Sequence, residues 1–166
     1  NPHPDFTMGL NLNFSYKGFD LNITGAGAFG QQIAKSYRSF ADSPLQNYTT
    51  DIFGRWTGEG TSNKLPRLTS GSHTNWQNIS DIYIEDGDYL KIQNLTIGYD
   101  FKKLFPTMPL GQARLYLTAQ NLFTFTGYSG MDPEIGYGYD KSWVSGIDLG
   151  YYPSPRTYMV GVNLKF

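Results

Sequence analysis

Apolar and polar residues alternate along five stretches of the chain, and the alternation predicts strands. Residues 6–16, FTMGLNLNFSY, set Phe6, Met8, Leu10, Leu12, Phe14 and Tyr16 against Thr7, Gly9, Asn11, Asn13 and Ser15. Residues two apart in an extended chain share a face, so this run has one oily face and one wet one. After a short turn at Lys17 and Gly18, residues 19–29 place Phe19, Leu21, Ile23 and Phe29 opposite Asp20, Asn22, Thr24, Ala26 and Ala28. The two runs read as a hairpin. A third run, 89–101, carries Leu95, Ile97, Tyr99 and Phe101 against Asn94, Thr96, Gly98 and Asp100. A fourth, 113–124, sets Ala113, Leu115, Leu117 and Ala119 against Arg114, Tyr116, Thr118 and Gln120. The fifth, TYMVGVNLKF, carries Tyr158, Val160, Val162, Leu164 and Phe166 on one face, so that the alternation runs onto the final aromatic ring. A helical period is nowhere convincing; QQIAKSYRSFA, residues 31–41, is a weak candidate.

The connections between these runs alternate in length: short at 17–18, long at 30–88, medium at 102–112, long at 125–156. Outer-membrane barrels have short periplasmic turns and long extracellular loops, so this parity predicts both long segments on one side and the C-terminus on the other, periplasmic side. The strand lengths agree. Phe6 to Tyr16 is ten steps of ~3.4 Å, which at a tilt of ~40° projects to roughly 26 Å, close to an apolar band ~25 Å tall. Five strands with two open edges cannot sit in lipid, where each unpaired backbone group costs several kcal/mol, so the expected fold is part of a larger barrel.

Composition narrows the picture. Of 166 residues 16% are aromatic, with 13 Tyr and 11 Phe, and only 16% are charged, against ~25% in soluble domains. A formal net charge of -1 removes the electrostatic case for nucleic acid. There is no cysteine, hence no disulfide framework or thiolate metal site. No apolar run approaches the ~18 residues of a membrane helix, a test that is blind to barrels.

Four stretches carry a family resemblance: RWTGEGTSNKLPR, DIYIEDGDYLKIQNLTIGYDF, LYLTAQNLFTFTGYSGMDPE and YYPSPRTYMVGVNLKF. In that order, AQNLFT, GxDPE and YPxPRxYxxGxxxxF resemble the C-terminal signature of SusC-like, RagA-like TonB-dependent transporters of the Bacteroidetes outer membrane. The resemblance runs over residues 1–166 and implies an all-β fold, the last strands of an antiparallel transmembrane β-barrel of about 22 strands with a plugged lumen. It further implies import of oligosaccharides or peptides, a SusD-like lipoprotein lid over the extracellular mouth, and energy from the TonB complex through N-terminal regions that this chain does not contain. It also makes the terminal Phe166 similar to the signal read by barrel-assembly machinery. Two other readings stand beside this one: a soluble, secreted β-sandwich that binds glycans, and a passive porin-like channel.

Most local motifs yield no chemistry. GAGAFG, residues 25–30, matches G-x-G-x-x-G, but no firm helix follows to receive a pyrophosphate, so its glycines are read as easing a bend or close packing. Asn13, Asn22 and Asn94 begin Asn-x-Ser/Thr triplets within strands, which predicts a polar lumen wall rather than glycosylation. IEDGD, residues 84–88, lacks calcium-loop spacing and reads as a turn, as does MDPE at 131–134. No nucleophile, histidine and acid constellation suggests catalysis, and no cofactor or metal is expected. The aromatics of the long connections differ in kind. Trp56, Trp76, Tyr137, Tyr139, Trp143, Tyr151 and Tyr152 lie among Gly, Ser and Asn, where sugar stacking on the one hand and loop packing or lid docking on the other account for them equally well.

Overall fold

The alternating runs form strands, and their cross-strand register carries the two-faced pattern across a whole sheet. The computed structural model describes residues 1–37, 50–68, 80–135 and 145–166. Its strands are β1 (Phe6–Tyr16), β2 (Phe19–Phe29), β3 (Gln32–Lys35), β4 (Ile84–Asp86), β5 (Tyr89–Asp100), β6 (Gln112–Thr126), β7 (Ile147–Asp148) and β8 (Thr157–Lys165). They belong to two compact units. One comprises residues 5–29, 88–127 and 153–166; the other comprises 1–4, 30–87 and 128–152.

The first unit is a five-stranded antiparallel sheet in the order β1-β2-β5-β6-β8. Leu12 pairs with Ile23, Ile23 with Leu95, Leu95 with Ala119, and Ala119 with Tyr158. On the other face Asn13 pairs with Asn22, Asn22 with Thr96, Thr96 with Thr118, and Thr118 with Met159. A soluble sandwich would bury the apolar face. Here Phe14, Tyr158, Val160 and Val162 are 58, 62, 73 and 59% exposed, which suits a surface solvated by lipid and contradicts the sandwich.

Local chemistry explains the bends. Lys17 and Gly18 both take positive φ, 47° and 90°, the conformation of a two-residue hairpin whose twist matches its strands. In β5 the register slips by one residue at Gln93, so Leu90 and Ile92 join the apolar face carried further on by Leu95, Ile97 and Tyr99. In β6 a second extra residue falls between Gln120 and Phe123, where Asn121 has φ 51° and its side chain donates to the Pro155 carbonyl at 3.0 Å. Beyond it β6 runs to Thr126, longer than the predicted run, and brings Phe123 and Phe125 opposite Ile92 and Leu90. Gly25 of GAGAFG, on β2, pairs with Ile92 beside the β5 irregularity at Gln93. A Cβ at Gly25 would stand 2.8 Å from the Lys91 carbonyl oxygen, so this glycine permits close backbone approach, as expected.

The second unit has a sheet of its own, which alternation did not predict. β3 pairs antiparallel with β4, Ile33 opposite Glu85, and parallel with β7, Ala34 opposite Ile147. Two expectations are corrected here. The start of QQIAKSYRSFA is strand rather than helix, because Ile33, 2% exposed, packs in the sheet against Gly87, where a Cβ would come within 2.7 Å of it; Ser36 and Tyr37 are helical, and residues 38–41 lie outside the described residues. IEDGD opens with β4 rather than a turn, since Glu85 is drawn into an ion pair with Lys35. MDPE is turned as expected, with the Glu134 amide donating to Asp132 Oδ1 at 3.0 Å.

Candidate functional site

The RWTGEGTSNKLPR stretch builds a preorganised loop around Trp56. Arg55 bridges in parallel to Leu65, and the Trp56 amide donates to the Leu65 carbonyl at 3.0 Å. The intervening turn is closed by one hydroxyl: Thr61 Oγ1 accepts from the amides of Thr57 and Gly58, at 2.9 and 3.1 Å, and donates to the Gly58 carbonyl at 2.7 Å. Ser62 Oγ likewise accepts from the Lys64 and Leu65 amides at 3.2 and 3.3 Å, an arrangement that competes well only outside regular structure. Held in this way, Trp56 remains 39% exposed and lines a groove of about 600 Å³ with Ser62, Asn63, Lys64, Pro66, Arg67 and Ser80. An aromatic face flanked by hydroxyls, an amide and two cations has the chemistry to bind a polar ligand, and among the described residues it holds no nucleophile paired with a base.

The ridge 62–65 also borders a second hollow of about 750 Å³, whose far wall is acidic through Asp51, Asp81 and Glu85. Glu85 belongs to a buried polar cluster that closes the second unit. Lys35, 4% exposed, donates to Glu85 Oε1 at 2.8 Å and to the Ser129 hydroxyl. Ser129 in turn donates its amide to Glu85 Oε2 at 2.9 Å and its hydroxyl to Oε1 at 2.8 Å. Partial burial works to raise the Glu85 pKa, but the hydrogen bonds from Lys35 and Ser129 together outweigh it and hold the carboxyl below its ordinary value. The Tyr128 hydroxyl donates to Asp148 Oδ2 at 2.6 Å. Burial, with the Asp148 carboxylate beside it, pushes that phenol far above its ordinary pKa and leaves it a permanent donor.

Of the seven loop aromatics expected to contact ligand or lid, Trp56 lines the groove. Tyr151 and Tyr152 are exposed elsewhere in the unit, the former tied to Asp148 through its amide at 3.4 Å. Trp76, Tyr137, Tyr139 and Trp143 lie outside the described residues. Phe166 follows the last ladder pair, Gln112 with Lys165, and is 94% exposed. Lys64 and Arg67 were missed by the reading of loop aromatics. Their signal was compositional: residues 60–80 contain both cations and no Asp or Glu.

The polar face of the five-stranded sheet is a hydrogen-bonded wall. Asn13 donates to Asn11 at 3.0 Å, Asn22 donates to Asn13 at 2.5 Å, and the Thr96 and Thr118 hydroxyls meet at 2.9 Å. Toward the Lys17–Gly18 end, Arg114 on β6 reaches across β5 to grip Asp20 on β2 with two hydrogen bonds of 2.8 and 2.5 Å. Gly98 makes the crossing possible, because a Cβ there would lie 2.6 Å from both partners. Tyr116 stacks at 4.9 Å from the Arg114 guanidinium and extends over Gly161.

No protein-family model matches the chain. Among curated proteins it is 36% identical to TonB-dependent receptor P3 of Formosa agariphila, over all of this chain and 17% of that protein. It is 29% identical to TonB-dependent receptor SusC of Bacteroides thetaiotaomicron, over 99% of this chain and 15% of that protein. Among solved structures it resembles the RagAB peptide transporter with a TM-score of 0.75 and 28% identity, over 96% of this chain and 17% of that one. The 'closed-closed' state of the RagAB peptide importer aligns with a TM-score of 0.77 and 27% identity, over 99% of this chain and 18% of that one. The chain therefore spans about a sixth of the relatives it matches. With an exposed apolar face, a polar hydrogen-bonded face and this sequence kinship along its whole length, the chain is a β-barrel segment of the SusC-like TonB-dependent transporters of the outer membrane.

Proposed function

We propose that the chain serves in a TonB-dependent importer of oligosaccharides or peptides across the outer membrane, working beneath a SusD-like lipoprotein lid. The observation that carries this reading is the two-faced sheet, apolar and exposed on one side, polar and hydrogen-bonded on the other, in a chain matched end to end by transporters. In this reading lipid wets the face of Leu12 and Val162, and the wall of Asn13, Asn22 and Thr96 lines the lumen. The rest of the barrel completes the outer strands, and energy arrives through plug and TonB-contacting regions outside this chain. The chain does no chemistry on its cargo; the loop aromatics contact ligand or lid. Phe166, at the periplasmic rim, serves barrel assembly more than stability, since burying it contributes only about 1.5–3 kcal/mol.

Sidedness and energy coupling are tested together on cells expressing the full-length transporter. Protease added outside should cut within 30–88 or 127–156 and spare Lys17 and Gly18, and uptake should stop when TonB is deleted. Cleavage confined to the short turn would invert the topology. Uptake indifferent to TonB would favour the porin-like channel. Deleting Phe166 should sharply lower the inserted amount while the inserted fraction keeps near-normal heat stability; normal insertion with reduced heat stability would leave it a packing role alone.

A further inference from the structure

The Trp56 groove has a charge that its shape does not require. Its cations, Lys64 and Arg67, are both exposed, no carboxylate lines it among the described residues, and the sequence from 60 to 80 contains no acidic residue in a chain of net charge -1. Three carboxylates of this unit, Asp51, Asp81 and Glu85, line instead the hollow on the other side of the ridge. The ridge 62–65 parts the two hollows, with Lys64 bordering both and Arg67 only the groove. Trp56 supplies a flat apolar face, Ser62, Asn63 and Ser80 supply neutral hydrogen-bonding groups, and the guanidinium of Arg67 has five donors with which to serve more than one partner.

We propose that this groove is a binding subsite for an acidic carbohydrate, a sugar ring bearing sulfate or carboxylate that stacks on Trp56 while Lys64 and Arg67 hold its anion. The inference rests on the import reading and specifies the cargo for one site within it. A pyranose offers what each wall takes: an apolar C–H face for the indole, hydroxyls for serine and asparagine, and a fixed anion for the cations. The loop is already tied by the Thr61 and Ser62 hydroxyls and the Trp56–Leu65 bond, so little ordering entropy opposes capture.

The test is titration of the detergent-purified full-length transporter with a sulfated galactan oligosaccharide, its desulfated counterpart and an oligoglutamate peptide. The sulfated sugar should bind most tightly and weaken as salt rises. The double variant K64Q/R67Q should lose about tenfold in affinity for it, as expected for two exposed charge contacts of up to ~1 kcal/mol each, and should equalise the sulfated and desulfated sugars. Trp56→Ala should weaken both sugars. Equal binding of the two sugars by the wild type, or no change in K64Q/R67Q, overturns the assignment; so does oligoglutamate binding as tightly as the sulfated sugar, which would reduce the groove to a charge trap. Cellular uptake separates this failure from failure of the import reading. TonB-dependent uptake of the sulfated oligomer that is unchanged in K64Q/R67Q sinks the subsite and leaves the importer standing.

Discussion

Replacing Leu12 by arginine places a charge on the apolar face one residue from the centre of β1, which runs Phe6–Tyr16. One residue along a strand tilted by ~40° displaces it by only about 2.6 Å from mid-depth, where arginine on the lipid face costs roughly 2–4 kcal/mol. The neighbouring Asn13→Arg puts the same charge on the opposite face. It forfeits the bond accepted from Asn22, worth about 1 kcal/mol as a typical hydrogen bond, while its guanidinium, projecting into the polar wall, supplies donors in place of the one that bonds Asn11. The two substitutions therefore differ by about 1–3 kcal/mol although they are adjacent in sequence, the gap between the lipid-face penalty and one lost hydrogen bond. Guanidinium titration of the full-length protein folded into phospholipid vesicles would measure this as a lower midpoint for Leu12→Arg than for Asn13→Arg. Comparable losses at both positions, or the larger loss at Asn13, would refute the facing of β1 and with it the facing of every strand registered to it.

Three further outcomes follow from particular contacts. Gly98→Val should separate Arg114 from Asp20 and destabilise the folded barrel by about 1–3 kcal/mol, whereas Gly9→Val, where a Cβ meets nothing within 4 Å, should be nearly neutral in the same titration. Tyr128→Phe leaves the buried Asp148 carboxylate without its hydroxyl donor, at a cost of about 1–3 kcal/mol, and should hasten proteolysis around 128–152 without changing membrane insertion. Glu85 has a depressed folded-state pKa, so its contribution is present above the ordinary carboxyl value of 4.5 and is lost as pH falls through the folded value. Protease resistance of the 30–87 and 128–152 segments should therefore be steady above pH 4.5 and fall only as the pH drops below that value in the wild type, while Glu85→Gln should be weaker at neutral pH and flatter across the range.

The five long strands were legible because each has one face for oil and one for water, and a period of two is hard to mistake over nine or more residues. Where the period breaks, reading stops. Leu90 and Ile92 stand in the wrong phase for Leu95 until the extra residue at Gln93 is known, and a bulge leaves no composition mark. β3, β4 and β7 have four, three and two residues, too few to show alternation, and their pairing joins residues 50 or more apart along the chain. Trp56 was conspicuous as an aromatic among small polar residues. The grip of Arg114 on Asp20, 94 residues away, was not, because only the sheet order brings those positions into reach across a glycine.

The pairing of β3 with both β4 and β7 bears on how such proteins diversify. Its partner β4 comes from the same long connection, but β7 comes from the other one, through Ala34 with Ile147 and Lys35 with Asp148. Lys35 is also bonded to Ser129 of that second connection. A recombination event that exchanged one connection alone would leave a parallel edge unpaired and a buried lysine facing a foreign surface. The two connections, separated by β5 and β6 in the gene, are thereby expected to be inherited together, with insertions in one tracked by adjustments in the other, while the strands between them drift under the separate demands of lipid and lumen.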